Sequence, residues 1–533
     1  MQGWIPYIDS PDKNGFRLLF VDIQNHRVLA RKGENCRLEL FNYGIEKDVS
    51  IGPKPYTTVI IGSNGIGKSF ILGAIAEIFR HLKELQMPNN NGDKKALVFR
   101  FAIQYFMNGH CYKISNLLSG WAKSDTIDAT FPNYYCWEDE RPCALTWCPL
   151  PTAVLASAVS ISDRFKTHKK EDGFYWYLGT RNENSPSTTG TKTLVRKTVS
   201  AIAEGLSQNP SFRERLKMLL SVLGLEPRMV IHYSLRYKKV YLSEPMTEER
   251  FLSIFNEWQR YFEAAGSSRT SPPWGYHKFP EISDNQENVR EIVRYLNKLR
   301  NTNQGGRTNH IEYSIDDSAL GEDWKAIKLL TALDIMKYPT IRVFKGSESG
   351  IASESFLFEE SSSGETNMLC QLINILSHIE QHSIVLIDEP ETSAHPNWQI
   401  RYIDWLNEIF GSFHTCHFII STHSHFLLTD LRKENSAIVA LKRDNGKTIN
   451  ISKGLNTFCW SVDDILYKVF QVRNTRNEAF ERDLFELYRL MKTDSPENKS
   501  KATTILNSLK DVVLRDGDPL KVLIDKAKKY VES

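Results

Sequence analysis

The amino-acid sequence predicts an α/β fold: a mixed β-sheet flanked by helices, with a helical insertion and a helical C-terminal tail. Three stretches carry this prediction, and each is a short, mostly β-branched apolar run that ends in glycine or polar residues. They are "TTVIIGSNGIGKS" (57–69), "SIVLIDEPE" (383–391) and "CHFIISTHS" (416–424). Runs of this kind are typical of buried parallel strands, and the residues that follow them lie at one edge of the sheet.

The strand patterns fall in two separate parts of the chain, which implies a domain split by an insertion. Residues 1–180 and 311–460 are expected to form the N-terminal and C-terminal lobes of one head. Residues 181–310 are mainly helical in pattern, because apolar side chains recur there at helical spacing. Residues 461–533 form a helical tail. We expect the insertion and the tail to offer the docking surfaces for partners.

Composition excludes few classes of function. Hydrophobic residues make up 41% of the 533 residues, charged residues make up 25%, and the formal net charge is +3. This balance neither requires nor excludes nucleic acid. The N-terminus "MQGWIPYIDSPDKNG" has no signal-peptide pattern, and no stretch approaches the ~20 apolar residues of a membrane span. We therefore expect a cytoplasmic protein that has no membrane partner.

The eight cysteines contain no C-x-x-C pair. Cys136, Cys143 and Cys148 are close in sequence but have no histidine nearby, so their spacing is poor for zinc. Ordinary reduced thiols are the expectation for these residues, and a zinc site is the alternative.

The first chemical motif is "GSNGIGKS", which matches G-x-x-x-x-G-K-[ST] between a strand and a helix. In such a P-loop, backbone N–H groups and the start of the helix bind phosphates. Lys68 is expected to reach the β- and γ-phosphates, and Ser69 to bind Mg²⁺. The residues assigned to ATP binding here are Gly62, Ser63, Asn64, Gly65, Ile66, Gly67, Lys68 and Ser69.

Two strand ends supply the remaining chemistry. Asp388 ends a buried strand, where a P-loop ATPase needs a carboxylate for Mg²⁺, and Glu389 follows as the candidate base for the attacking water. We expect the chain to turn after Asp388, so that both carboxylates face one cleft. His423 ends the next buried strand and is placed to hydrogen-bond a γ-phosphate.

This order of motifs resembles the ABC-type ATPases, and "SSSGE" (361–365) occupies the slot of their signature loop. In that family, the signature serine and glycine contact the γ-phosphate that the other protomer holds. The resemblance assigns this role to Ser363 and Gly364, with Ser362 and Glu365 beside them. It therefore implies a head-to-head homodimer, or a higher homo-oligomer, that sandwiches two ATP molecules.

"LIDEPETSAHPNWQ" narrows the resemblance to the SMC-like and RecF-like ATPases and to those of the overcoming-lysogenization-defect group, many of which act in anti-phage defence. The runs "AVSISDRF", "YWYLGTR" and "WSVDDILYKVFQVRN" resemble the Septu-type, PtuA-like ATPases and their retron-associated relatives. This resemblance implies a separate HNH-type nuclease as partner. In retron-associated relatives it also implies a reverse transcriptase with its RNA/DNA product.

The sequence departs from the family in three places. Ala394 replaces the usual leucine in Ser393–His395, which falls where the family's dimer-contacting D-loop lies. The Q-loop glutamine has no clear equivalent, since Gln104 falls within a strand pattern and the loop at 160–165 is the other candidate. Members of the wider group often carry a C-terminal Toprim nuclease, whose metal site needs an Asp-x-Asp motif on a strand. Here Asp516-Gly517-Asp518 lacks that strand, so we expect a loop at this position and no nuclease within this chain.

Three other functions compete with an ATPase that gates an effector. A DNA-repair ATPase of the RecF or Rad50 kind predicts a basic face or long coiled coils, and neither is evident. The nucleotide-binding subunit of a membrane transporter would not carry so large an insertion between the P-loop and the signature. An ATP-locked scaffold would retain the same motifs, because turnover is not visible in a sequence.

Overall fold

The chain forms two compact units, residues 1–460 and 461–533. The computed structural model describes residues 4, 15–42, 54–87, 97–117, 133–167, 173–181, 191–265, 278–302, 310–337, 339–346, 355–444, 447–450, 457, 460, 464–465, 478–493, 495–509 and 519–532. Most of the run "WSVDDILYKVFQVRN" (460–474) and all of Asp516–Asp518 lie outside these residues.

Three β-sheets build the first unit, and all of their strands precede the second unit. In chain order the strands are β1 (Arg17–His26), β2 (Ala30–Glu39), β3 (Tyr56–Gly62), β4 (Arg100–Met107), β5 (His110–Ser115), β6 (Tyr135–Glu138), β7 (Arg141–Pro142), β8 (Val154–Ala158), β9 (Tyr175–Tyr177), β10 (Leu225–Ser234), β11 (His310–Ser314), β12 (Thr340–Lys345), β13 (Ser355–Leu357), β14 (Ile384–Asp388), β15 (His417–Thr422), β16 (Ser436–Asp444) and β17 (Lys447–Asn450).

The helices pack on these sheets in the first unit and form a small bundle in the second. In chain order they are α1 (Lys68–Gln86), α2 (Thr191–Gln208), α3 (Phe212–Val222), α4 (Lys238–Leu242), α5 (Glu248–Ala265), α6 (Phe279–Ser283), α7 (Gln286–Thr302), α8 (Ala319–Ala332), α9 (Ser363–His378), α10 (Pro396–Ile409), α11 (Glu478–Leu490), α12 (Pro496–Ser508) and α13 (Pro519–Glu532).

The central sheet has seven strands in the order β17-β16-β3-β15-β14-β8-β9. Neighbours from β16 to β9 are parallel, and β17 is antiparallel to β16, so the sheet is mixed, as predicted. The three motif strands β3, β15 and β14 are direct neighbours. Because parallel strands end at the same edge, this order brings the P-loop, His423 and Asp388 together. The predicted α/β class is confirmed.

A six-stranded antiparallel sheet, β2-β1-β4-β5-β6-β7, is joined to the central sheet through the buried His417. Its Nδ1 accepts a hydrogen bond from the Leu18 N–H at 3.0 Å, and its Nε2 lies 2.8 Å from Thr58 Oγ1. Burial holds the pKa of His417 well below its usual value, so the ring stays neutral. One apolar core includes side chains from both sheets and from α1.

A third sheet, with the antiparallel order β11-β10-β12-β13, was not anticipated in full. The segment expected to be a helical insertion is mainly helical, yet it also supplies β10. Val230 in β10 pairs with Ser314 on one side and with Arg342 on the other. The apolar run in β10 is short, and its partner strands β11 and β12 are far along the chain, so no local pattern marked β10 as a strand.

The second unit has an apolar core of its own, formed by α11, α12 and α13. The buried members of this core are Leu484, Leu487, Leu490, Ala502, Leu509 and Ala527. Among all the helices that the structure describes, none is both long and apolar enough to cross a membrane.

Candidate nucleotide-binding site

The P-loop turn runs from Gly62, the last residue of β3, to Lys68, the first residue of α1. Gly65 and Gly67 have φ values of +75° and +110°, a conformation that L side chains rarely adopt. A Cβ on Gly67 would also lie 2.6 Å from Leu29 Cδ2. Gly67 is the N-cap of α1 and brings no side chain to cover the first helical turn, so this turn is open to an anion.

The rest of the loop has an exposed part and one buried side chain. Ser63, Asn64 and Gly65 are exposed, whereas Ile66 is buried in the main core. The loop is therefore fixed from below by Ile66 and is accessible above, as a phosphate-binding loop requires.

Lys68 is almost fully buried, and its position links the loop to the neighbouring strand end. Its Nζ donates to the Gly62 carbonyl oxygen at 2.9 Å and lies 2.6 Å from His423 Nε2. Burial lowers the pKa of Lys68 to about 8, although nearby carboxylates oppose the shift. At neutral pH the amine is still largely charged and can serve a phosphate.

Ser69 and Asp388 form a pair that suits a Mg²⁺ ion. The Ser69 hydroxyl donates to Asp388 Oδ1 at 3.0 Å, and the Ser421 hydroxyl donates to the same oxygen. Burial raises the pKa of Asp388 to about 6, and the hydroxyl hydrogen bonds only partly offset this effect. A buried carboxylate beside a hydroxyl, both oxygen donors, fits the preference of Mg²⁺.

The chain turns at Glu389, directly after β14 ends at Asp388. Glu389 has a φ of +49°, which is uncommon for a residue with a side chain, and its N–H donates to the Ser421 carbonyl oxygen at 2.9 Å. Its carboxylate lies 3.3 Å from His423 Nε2, and this contact lowers the pKa of Glu389. Glu389 is therefore ionised at neutral pH, as a base for water must be.

The loop at 361–365 lies at the start of α9. Ser362 is the N-cap, and its Oγ accepts from the Glu365 N–H at 3.3 Å. The hydrogen bonds described for Ser361 run to Phe358 and Thr366 rather than to the P-loop. Ser362 and Glu365 are exposed, so this helix start is accessible from outside the chain. None of the hydrogen bonds described for Ser361 and Ser362 runs to Lys68 of the same chain.

The same loop has room only for a glycine at position 364. A Cβ there would lie 2.0 Å from the Ser393 carbonyl oxygen and 3.0 Å from Ala394 Cα. The start of α9 thus packs directly on the segment that follows Glu389, where Ser393 itself has a φ of +64°. His395, the last of the three residues assigned there, is the N-cap of α10 and accepts from the Asn397 N–H.

Glu391 also belongs to the site, although its place in the sequence predicted no role for it. Its Oε1 accepts a hydrogen bond from the His423 N–H at 2.6 Å, and burial raises the pKa of Glu391. It therefore holds the backbone of His423, while Glu389 contacts the ring. The available signal was the acidic run "DEPE", in which only the first two carboxylates were given roles.

The runs "AVSISDRF" and "YWYLGTR" meet in space. Arg181 donates to both oxygens of Asp163, at 2.6 and 3.0 Å, and the Tyr177 hydroxyl donates to Asp163 at 2.7 Å. The loop at 160–165 follows β8, the strand beside β14, and a Cβ on Gly73 of α1 would lie 2.8 Å from the Arg164 carbonyl oxygen. Of the two Q-loop candidates, this loop therefore borders the site.

Gln104 lies elsewhere. It is buried in β4 of the antiparallel sheet and donates to Cys111 Sγ at 3.3 Å. The three clustered cysteines are thiols, with Cys143 Sγ 3.6 Å from Cys148 Sγ. Over the described ranges, no set of three or more His, Cys, Asp or Glu side chains is arranged to hold a metal ion.

Comparison with known proteins supports an ATPase domain. Residues 249–428, about a third of the chain, match the family described as an AAA ATPase domain. This segment includes the signature-like loop, Asp388, Glu389 and His423, but not the P-loop. No curated protein matches the chain.

Solved structures with some likeness to the chain include SMC heads and RecF. The SMC head domain of Thermotoga maritima has a TM-score of 0.33 at 11% identity, over 82% of this chain and all of that one. The Pyrococcus furiosus SMC head bound to the C-terminal domain of ScpA has a TM-score of 0.30 at 12% identity, over 86% of this chain and all of that one. RecF with ATPrS has a TM-score of 0.27 at 15% identity, over 82% of this chain and 99% of that one. These scores are too low to support an argument.

Proposed function

We propose that this protein binds and hydrolyses ATP in a head-to-head dimer and thereby regulates a separate effector nuclease of HNH type in anti-phage defence. The observation that carries the ATPase part is the convergence of Lys68, Ser69, Asp388, Glu389 and His423 at one edge of the central sheet.

The side chains divide the work of hydrolysis by position and charge. The open start of α1 and the charged Lys68 bind the phosphates. Ser69 and Asp388 would hold a Mg²⁺ ion, which would neutralise phosphate charge when bound. Glu389, ionised because of its contact with His423, orients water and accepts its proton. His423 is held at its backbone by Glu391 and presents its ring between Lys68 and Glu389.

The dimer part of the proposal is supported by the accessible start of α9. The N-terminus of α9 is exposed and carries the positive end of the helix dipole, and no described hydrogen bond of Ser361 or Ser362 runs to the P-loop of the same chain. A second protomer can therefore present its nucleotide to this helix start. By symmetry, each ATP would lie between the P-loop of one protomer and the α9 start of the other.

Mixing two variants, each of which lacks a different half of the composite site, tests this arrangement. Lys68→Ala removes the P-loop cation, and Ser363→Arg blocks the start of α9. Each variant alone should be inactive, whereas a mixture contains heterodimers with one intact composite site. Random pairing predicts recovery of up to about a quarter of the wild-type phosphate-release rate per head. A mixture as inactive as its components would contradict a site shared between protomers.

The effector part is supported by the resemblance to Septu-type ATPases and by an apolar surface on the second unit. Phe485 and Tyr488 lie on neighbouring turns of α11 and are 70% and 52% exposed. Exposed aromatic pairs of this kind are typical of protein interfaces. We propose that the HNH-type nuclease docks there, together with a reverse transcriptase and its RNA/DNA product if the system is a retron.

Copurification from the native gene neighbourhood tests the partner. Tagged wild-type protein should retain the nuclease, and Phe485→Ser with Tyr488→Ser should release it without changing ATP turnover. Val98→Ser, at a 92% exposed residue of the first unit, is the matched control. If no nuclease is retained and the isolated protein binds duplex DNA tightly and with steep salt dependence, RecF-like action on DNA is the better account.

A further inference from the structure

Gln399 uses both ends of its side-chain amide to join two loops. Its Nε2 donates to the Ala394 carbonyl oxygen at 2.8 Å, and its Oε1 accepts from the Ser424 hydroxyl at 2.7 Å. Gln399 lies in the first turn of α10. One rigid helical residue therefore ties the loop after β14 to the loop after β15.

On one side, this bridge reaches His423. Ser424 follows His423 and is buried, and its N–H donates to Thr422 Oγ1 at 2.8 Å. The His423 N–H donates to Glu391, which lies in the loop after β14. The peptide N–H of His423 thus binds that loop directly, and the side chain of the next residue, Ser424, binds it through Gln399. A movement of the loop is therefore expected to move His423.

On the other side, the bridge reaches the start of α9. Gly364 packs against the peptide that joins Ser393 to Ala394, so closely that a Cβ would clash. The Ala394 N–H donates to the Glu391 carbonyl oxygen at 2.9 Å, and its own carbonyl is the group that Gln399 binds. A shift of the α9 start therefore presses on the segment that Gln399 holds.

We propose that Gln399 is a positioning residue that couples the two ATP sites of the dimer. This inference rests on the proposed sandwich, in which the α9 start serves the ATP of the partner protomer and His423 serves the ATP of its own. Closure on the partner's nucleotide displaces Ala394, and Gln399 passes the displacement to Ser424 and His423. The bridge needs a donor at one end and an acceptor at the other, and the glutamine amide supplies both.

A heterodimer with two different tags isolates the coupling. One protomer, the reporter, keeps its own P-loop and catalytic residues. The other protomer carries either Glu389→Gln, so that its site holds ATP without turning it over, or Lys68→Ala, so that its site is empty. The ratio of the two reporter rates measures how strongly ATP at one site activates the other. With Gln399 intact we expect a ratio of about fivefold or more, the usual lower range of coupling between sites.

Gln399→Met in the reporter should reduce this ratio to near one. Gln399→Glu, which keeps the shape and the acceptor but loses the donor to Ala394, should do the same. The control is Gln399→Met in the other protomer, where the bridge leads to the His423 of a site that does not turn over. That substitution should leave the ratio unchanged. Thermal unfolding and nucleotide titration of each variant show whether the fold and ATP binding are intact.

A ratio that survives Gln399→Met in the reporter would overturn the proposal, as would equal losses of both rates, because a purely structural role lowers them together. A ratio near one in the unmodified heterodimer would also overturn it. Failure of the proposed sandwich looks different, since the mixture of Lys68→Ala and Ser363→Arg proteins would then recover no phosphate release.

Discussion

Ser363→Arg is expected to abolish steady-state ATP hydrolysis while leaving ATP binding to the isolated protein intact. Position 363 is the first residue of α9, in a loop whose described hydrogen bonds remain local. The P-loop, Asp388 and Glu389 are elsewhere in the chain and keep their contacts. Loss of one preorganised phosphate contact typically costs ~10²–10³-fold in rate, and a long cationic side chain also obstructs closure.

Two measurements check this result: phosphate release at saturating ATP, and titration with a fluorescent nucleotide. We expect a fall of at least about 100-fold in the first and no change in the second. Ser500→Arg, at an exposed serine of α12, is the matched control and should change neither. Unchanged turnover in Ser363→Arg would place the function of this loop outside the ATP site. An equal loss of binding would mean that the loop serves the nucleotide of its own chain, against the proposed sandwich.

Glu389→Gln is expected to lower turnover by about 10²–10⁴-fold, the usual contribution of a general base. The amide keeps the size of the side chain but cannot accept the proton of water. ATP binding should survive, because Lys68 and the P-loop backbone are unchanged. The ATP-bound dimer should therefore accumulate, since the step that would open it is blocked.

The mass of the particle in solution, measured with and without ATP and Mg²⁺, reports the accumulation. Glu434→Gln, at a half-exposed residue after β15, is the matched control. Turnover within about twofold of wild type would remove Glu389 from the role of base. If the wild type itself releases no phosphate yet dimerises with ATP, the ATP-locked scaffold considered in the sequence analysis is the correct description.

The sequence alone predicted the elements whose signals are local. The P-loop, the strand ending in Asp388-Glu389 and the strand ending at His423 each combine an apolar run with a polar end. Side-chain periodicity and glycine placement act over a few residues, so they are visible without the fold. β10 was missed for the opposite reason, since its partners Ser314 and Arg342 lie far along the chain.

By itself, the sequence determined which residue types are available for phosphate, Mg²⁺ and water, and in what order they occur along the chain. Only the tertiary structure decided how they are connected. Strand β15 lies between β3 and β14, which brings His423 against both Lys68 and Glu389. The hydrogen bonds of Gln399 to two different loops were equally invisible in sequence. Contacts of this kind depend on strand order and loop packing, which are long-range consequences of burying one shared core.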